Sequence, residues 1–318
     1  MKDSITRKSI TFFMLVTNRD CMFGDYGVKS FKKIYDRLNH SEKQHFKLFI
    51  YLNALTPENL NEYAAKWAAY PYVQIFDNNE KIRNKNFVAG ETITSPEGID
   101  RVRDDINENY DELWTSELPK FNTDYIATVD ADFEVLDAEF YFHLLLALQN
   151  PDCLFASTCY NETAYCFDSY SDRNMHLYER NHTWFCIYKK EAFELSKRSH
   201  FYYEEIRDGE VHAFDSAAYF QNELRTIPGK KFYHLPNKYK ANFIHYGAGS
   251  KNISINKSNI SFYRKLMITC KIGPIRKWTN IKVVNLLNRI ARKLISKIFK
   301  KKINSLSTER SKFIFNQA

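Results

Sequence analysis

Two aspartates, Asp130 and Asp132, follow directly on the apolar run Tyr125-Ile126-Ala127-Thr128-Val129. In extended backbone, residues two apart point the same way, so both carboxylates can aim at one point. Two anionic oxygens at one point suit a hard divalent cation, Mg2+ or Mn2+, and such a cation in turn suits a diphosphate. An Asp-x-Asp also caps helices and decorates turns. Its place after a buried strand is what favours the metal, because ligands of open α/β sheets gather beyond the carboxyl ends of the strands.

Holding that pair requires a frame, and the sequence ahead of it alternates apolar runs with amphipathic stretches. Thr11–Thr17 reads as a buried strand. Gly27–Leu38, with Phe31, Ile34, Tyr35 and Leu38 at helical spacing, reads as a helix. Phe46–Leu52 is a second strand, Thr56 and Pro57 open a helix to about Ala69, and Val73–Phe76 is a third strand. Ser95 and Pro96 start a long helix through about Leu118, ahead of the fourth strand, Tyr125–Val129. Beyond it come a helix at Ala138–Leu148, a strand at Leu154–Thr158 and an aromatic, polar stretch, Tyr160–Arg180, with no period. A strand at Thr183–Tyr188 and helices near Ala192 and over Phe214–Leu224 complete the expectation. Such alternation implies crossover connections. The expected fold class is α/β, with a Rossmann-like, mostly parallel mixed sheet flanked by helices over residues 1–250, a single domain.

Composition narrows the function classes. At 44% hydrophobic and 16% aromatic over 318 residues, the chain has enough apolar matter for a large core and is not a disordered protein. Lys and Arg interrupt every long apolar region, so no spanning helix is expected. Lys2, Arg7 and Lys8 precede the run Ile10–Val16, but no small-residue cleavage site follows, and the run is read as a strand rather than a signal peptide. The six cysteines form no Cys-x-x-Cys pair and point to free thiols in a reducing compartment. Charge is divided unevenly. Residues 251–318 hold 17 of the 46 Lys and Arg and one acid, a net +16, against −8 for the first 250 residues. An acidic body with a basic tail implies chemistry in the body and a polyanionic surface for the tail.

With a hydrophobic strand before it and three earlier βα units, Asp130-Ala131-Asp132 resembles the DXD motif of GT-A fold glycosyltransferases that use nucleotide-sugar donors, of the kind that builds bacterial surface polysaccharide. The resemblance covers about residues 9–251. It implies that Thr17, Asn18 and Arg19, at the end of the first strand, hold the donor nucleotide, and that Asp77, ending the third, contacts base or ribose. It also implies that His245, in Phe243-Ile244-His245-Tyr246-Gly247-Ala248-Gly249-Ser250-Lys251, is a third metal ligand beside Asp130 and Asp132. The chemistry agrees: a sugar leaves a nucleoside diphosphate only if charge building on the β-phosphate is stabilised, which Mn2+ or Mg2+ does as a Lewis acid. Lys251 and Arg19 add positive charge near the phosphates or are solvated surface charges.

Members that invert configuration use an acidic residue at a helix start to deprotonate the acceptor, and the resemblance points to Asp215, ahead of the helically spaced Ala217, Phe220 and Leu224. An Asp there is equally a helix cap. The family's adjacent Glu-Asp pair is missing, Glu204, Glu205 and Asp208 compete for the role, and retention stays open. Aromatics are dense between Tyr160 and Tyr203: Tyr165, Phe167, Tyr170, Tyr178, Trp184, Tyr202 and Tyr203. Sugar rings stack on such faces, but aromatics mainly bury area, and Trp184 alone is singled out for an acceptor groove.

In the tail, Val283, Leu287, Ile290, Leu294 and Ile298 form an apolar stripe with Lys and Arg around the rest and Trp278 at the entry. The pattern fits a helix lying on an anionic membrane surface, with packing on the body as the plain alternative. Phosphate binding needs no wide Leu/Ile face, so nucleic acid is not an expected partner. The full expectation is a hexosyl- or N-acetylhexosaminyl-transferase, cytoplasmic and peripheral on the inner face of the membrane, acting on a glycan or lipid-linked acceptor. Alternatives are a nucleotidyltransferase, for which the expected Gly-rich loop after the first strand is missing, and a silent carbohydrate-binding scaffold.

Overall fold

A computed structural model describes residues 8–17, 20–53, 55–77, 92–94, 100–102, 114, 117–168, 173–198, 203–207, 210–246, 261, 264, 265 and 268. The first strand, β1 (Ile10–Thr17), is apolar at nearly every position because both its faces are covered. Phe12, Met14 and Val16 enter one core, and Phe13 and Leu15 the other. That is the pattern of a strand inside a parallel sheet. Helices α1 (Cys21–Ser30), α2 (Lys32–Tyr35) and α3 (His40–Gln44) lead to β2 (Phe46–Asn53), and α4 (Pro57–Ala68) leads to β3 (Val73–Asp77). Local chemistry sets the helix starts. Asn39 accepts from the Glu42 backbone N–H at 3.0 Å and its own N–H donates to the Glu42 carboxylate at 2.8 Å, while Thr56 caps α4 ahead of Pro57.

Next, β4 (Thr92–Thr94) and β5 (Asp100–Val102) pair antiparallel. The helix expected from Ser95 is corrected here. Pro96 permits a helix start without obliging one, and residues 100–102 pair instead with the β-branched run Thr92-Ile93-Thr94. Most of the remaining stretch to Leu118 lies outside the described residues. Then come β6 (Tyr125–Asp130), β7 (Phe133–Val135), α5 (Glu139–Leu148) and β8 (Cys153–Ser157). The stretch without a period resolves into short strands, β9 (Tyr160–Asn161), β10 (Ala164–Asp168), β11 (Arg173–Leu177) and β12 (Arg180–Asn181). The chain continues through β13 (Phe185–Lys189), α6 (Ala192–Leu195), β14 (Tyr203–Arg207), β15 (Glu210–Phe214), α7 (Ala218–Arg225), β16 (Lys231–His234) and β17 (Phe243–His245). Phe214, expected to open a helix, ends a strand opposite Tyr203. The helix starts later because Ala217 has φ 65°, a left-handed conformation that no α-helix contains.

The seven-stranded sheet has the order β16-β8-β13-β6-β1-β2-β3. Strands β6, β1, β2 and β3 are parallel, β16 is parallel to β8, and β13 runs antiparallel to both its neighbours. The expected mostly parallel mixed sheet between helices is therefore the one found. Leaving β1, the chain builds β2 and β3 on one side and returns to place β6 on the other. Strand order thus reverses between β1 and β6, and at such a switch point the loops splay apart and leave a crevice at the carboxyl edge. A second sheet, β10-β11-β15-β14, lies outside this frame, and β17 pairs antiparallel with β7. Among the described residues no helix is long and apolar enough to cross a membrane. The basic helix expected at 278–303 lies outside them.

Candidate metal centre

Asp130 is the last residue of β6, opposite Leu15 of β1, so it stands at the switch point. A two-residue turn separates it from β7, and the antiparallel pairing of β7 with β17 sets His245 opposite Phe133. The Tyr246 N–H then donates to the Asp132 carbonyl at 3.0 Å. These pairings bring residues 113 and 115 positions apart into one cluster. His245 Nε2 is 3.1 Å from Asp130 Oδ2 and 3.1 Å from Asp132 Oδ1. Asp132 is buried and His245 nearly so, with side chains 10% and 11% exposed, while Asp130, at 31%, opens to solvent.

The electrostatics follow from that burial. Desolvation raises the Asp132 carboxyl above its ordinary value; His245 pulls it down, and Asp130 and Asp20 push it up further. For His245, desolvation alone would lower the imidazole, but Asp132 and Asp130 outweigh it by charge and hydrogen bonding and raise it to about 9. The imidazole thus holds a proton between two carboxylates. Replacing that proton by a divalent cation takes the cluster from a net charge of −1 to neutrality and uses the same three donors, one atom from each lying within 4.8 Å of the others. Two carboxylates and one imidazole fit Mn2+ or Mg2+ and fill only part of an octahedral shell.

Three supports around the centre have roles that the sequence reading did not assign. The Trp184 ring lies between those of His182 and His245, with centroid separations of 4.0 and 3.9 Å. Its carbonyl accepts from the Asp130 N–H at 3.1 Å, tying the stack to β6. His182 is buried, its Nδ1 has no hydrogen-bond partner among the described residues, and desolvation first, then Arg180, His245 and Lys240, lowers it to about 3. Beneath the turn, a Cβ on Gly27 would lie 2.8 Å from the Phe133 carbonyl oxygen and 2.9 Å from that of Ala131. A glycine inside a helix, one of nine in the chain, was the readable trace of this approach. Behind it, the fully buried Glu134 accepts from Tyr246 Oη at 2.5 Å and from Arg264 Nη2 at 2.6 Å.

The other expected site residues are placed as follows. Thr17 ends β1, opposite Asn53, and its hydroxyl donates to Asp20 at 2.5 Å. Asp77 ends β3, opposite Leu52, at the same carboxyl edge. Asn18, Arg19 and Lys251 lie outside the described residues, as do Tyr170, Tyr202 and Asp208. Asp215 is not a helix cap; Ala217 holds that position. One Asp215 oxygen meets Arg180 Nη2 at 2.6 Å and the other accepts from the Ser216 N–H at 2.7 Å. Arg180 begins the short segment that ends at Trp184, so Asp215 is joined to the centre through Arg180 and that segment.

No protein-family profile matches the chain, and no curated protein does. Solved structures do. The chain is similar to a mannosyltransferase from Pyrobaculum calidifontis in complex with GDP-Man and Mn2+, at 9% identity over 93% of this chain and 83% of that one, with a TM-score of 0.42. It is similar to the bifunctional glycosyltransferase WbbM at 9% identity over 73% and 39%, TM-score 0.39. For the S. aureus protein TarS the figures are 10% identity, 58% and 48%, and TM-score 0.33.

Proposed function

We propose that the protein is a metal-dependent glycosyltransferase that moves a sugar from a nucleotide-diphosphate donor to a glycan or lipid-linked acceptor. One observation carries this reading: Asp130, Asp132 and His245 converge at the switch point of a mostly parallel sheet. When bound there, Mn2+ or Mg2+ supplies Lewis-acid stabilisation to the leaving diphosphate. The chain's own residues do the rest. Asp132, buried, and His245, nearly so, fix the inner side of the centre, and Asp130 faces the crevice where phosphate oxygens enter. Thr17 and Asp77 at the carboxyl edge hold the nucleoside together with Asn18 and Arg19, which follow Thr17 in sequence, and Lys251 adds positive charge for the phosphates. Asp215, paired with Arg180, takes the proton of the acceptor hydroxyl, which makes the transfer inverting, with a hexose or N-acetylhexosamine as the sugar. The strained backbone at Ala217, two residues on, accords with a functional loop. The basic segment 278–303 brings the enzyme to an anionic membrane surface on the cytoplasmic side, where lipid-linked acceptors reside.

The test is a panel of nucleotide sugars screened by thermal shift with and without Mn2+, followed by donor turnover. Asp132→Asn is expected to abolish turnover and the metal-dependent part of donor binding while remaining folded. Wild-type turnover in folded Asp132→Asn protein would overturn the assignment.

A further inference from the structure

The second sheet carries a cluster that the transferase reading leaves unused. Strands β11 and β15 are parallel neighbours, and their register sets His176 directly opposite His212. Directly paired residues share a face, and Glu210, two positions before His212, shares it too. The side chains meet: His176 Nε2 is 2.7 Å from Glu210 Oε2, and the two imidazole rings lie 4.8 Å apart and 18° from parallel. One donor atom from each of the three residues lies within 4.8 Å of the others. His212 is further oriented through Nδ1, 3.1 Å from the Tyr178 hydroxyl, which itself accepts from Arg207 at 3.1 Å. A ring held through one nitrogen by an outer partner is how ligating histidines are usually presented.

From this geometry we infer a second metal centre, formed by His176, Glu210 and His212 and selective for a borderline transition ion, Zn2+ above all. The donor set decides the ion. Two imidazoles and one carboxylate suit Zn2+, whereas the Asp130 centre, with two carboxylates and one imidazole, suits a harder cation. Three protein ligands leave at least one position open to water. Bond lengths of about 2.0–2.1 Å bring the donors closer than they stand now, which rotation of side chains at an open sheet face supplies. The effect is a clip. The β11–β15 pairing spans only Met175–Leu177 against Val211–Ala213, and an ion held from both strands fastens it.

This inference is independent of the transferase reading, and the experiment separates them. The full chain without an affinity tag is stripped with EDTA, loaded with Zn2+ in excess Mg2+, dialysed and assayed for metal. Co2+, added alone to the stripped protein, provides a visible-absorption probe of low-coordinate nitrogen ligation. Wild type is expected to retain one more equivalent of Zn2+ than His176→Ala or His212→Ala, and both variants to lose the Co2+ bands. The stabilisation by Mn2+ at the Asp130 centre should be unchanged in them. Glu210→Gln, a conservative change at an exposed position, should weaken Zn2+ by about tenfold or more, and it carries the comparison if a histidine variant fails to fold. Equal Zn2+ retention in wild type and folded variants, or no Zn2+ held beyond the Asp130 centre, overturns the inference.

Discussion

The ring of Trp184 lies on that of His245, centroids 3.9 Å apart and planes 21° from parallel. His245 is thereby fixed in orientation by a side chain that donates nothing to a metal. Trp184→Leu removes that face while leaving the three donors in place, and is expected to weaken Mn2+ binding by about tenfold to a hundredfold, with Trp184→Phe intermediate. Calorimetric titration of Mn2+ checks this. Unchanged affinity would assign Trp184 to sugar contact alone.

Metal and proton compete for the same imidazole. With its folded pKa raised to about 9 from an ordinary 6.5, His245 contributes stability that is fully present below about pH 6.5 and lost as pH rises through about 9. A divalent cation gains what the proton gives up. The melting-temperature increment from a fixed excess of Mg2+ is therefore expected to grow between pH 6.5 and 9, with about one proton released per ion near pH 7. Titrations in buffers of different protonation enthalpy count that proton. The acid limb belongs to His182, lowered to about 3, whose contribution is present above about pH 6.5 and lost as pH falls toward 3.

Gly27 is the floor of the Asp130–Phe133 turn. A methyl group there meets two backbone oxygens at 2.8 and 2.9 Å, neither of which can swing away as a side-chain tip does. Gly27→Ala is expected to cost about 1–3 kcal/mol in urea unfolding and to reduce Mn2+ affinity together with stability, because the displaced carbonyls flank Asp132. Gly24→Ala, whose new Cβ meets only ordinary contacts starting at 3.5 Å, serves as the control that spares the turn.

Asp215→Asn is expected to lower the transfer rate by about 10² to 10⁴ with donor affinity little changed. Arg180→Gln should produce a smaller loss, since it frees the carboxylate without removing it. NMR of the product provides an independent check: a retained anomeric configuration would remove Asp215 from the role of base.

What was legible in the sequence was local. Strand β1 and the Asp-x-Asp after β6 could be read because burial on both faces and a two-residue spacing leave their mark within a few positions. His245 came only through the resemblance, since nothing near residue 245 announces that β17 folds back on β7. The helix expected across Ser95–Leu118 is contradicted at residues 100–102, because a proline start is compatible with either outcome once a β-branched run stands upstream. Phe214 differs for a related reason: the helical spacing of Ala217, Phe220 and Leu224 does not show where the helix begins, and the left-handed backbone at Ala217 leaves Phe214 to the strand that pairs with Tyr203. Gly27 and the cluster of His176, Glu210 and His212 acquire meaning only from what the register places beside them.

The bond between Arg264 and Glu134 spans 130 positions, and Tyr246 reaches the same carboxylate across 112. During synthesis, Asp130, Asp132 and Glu134 leave the ribosome well before His245, Tyr246 and Arg264. At about 5–20 residues per second, roughly 6–25 seconds separate the two groups. Throughout that interval the acidic half of the centre exists without its imidazole, and the nascent chain has no complete ligand set with which to trap an ion. The centre closes only when nearly the whole of the sheet is already in place, and a polypeptide cut short before Arg264 leaves the buried Glu134 without its bidentate guanidinium partner. Closure of the centre therefore waits on the late segment that carries His245, Tyr246 and Arg264.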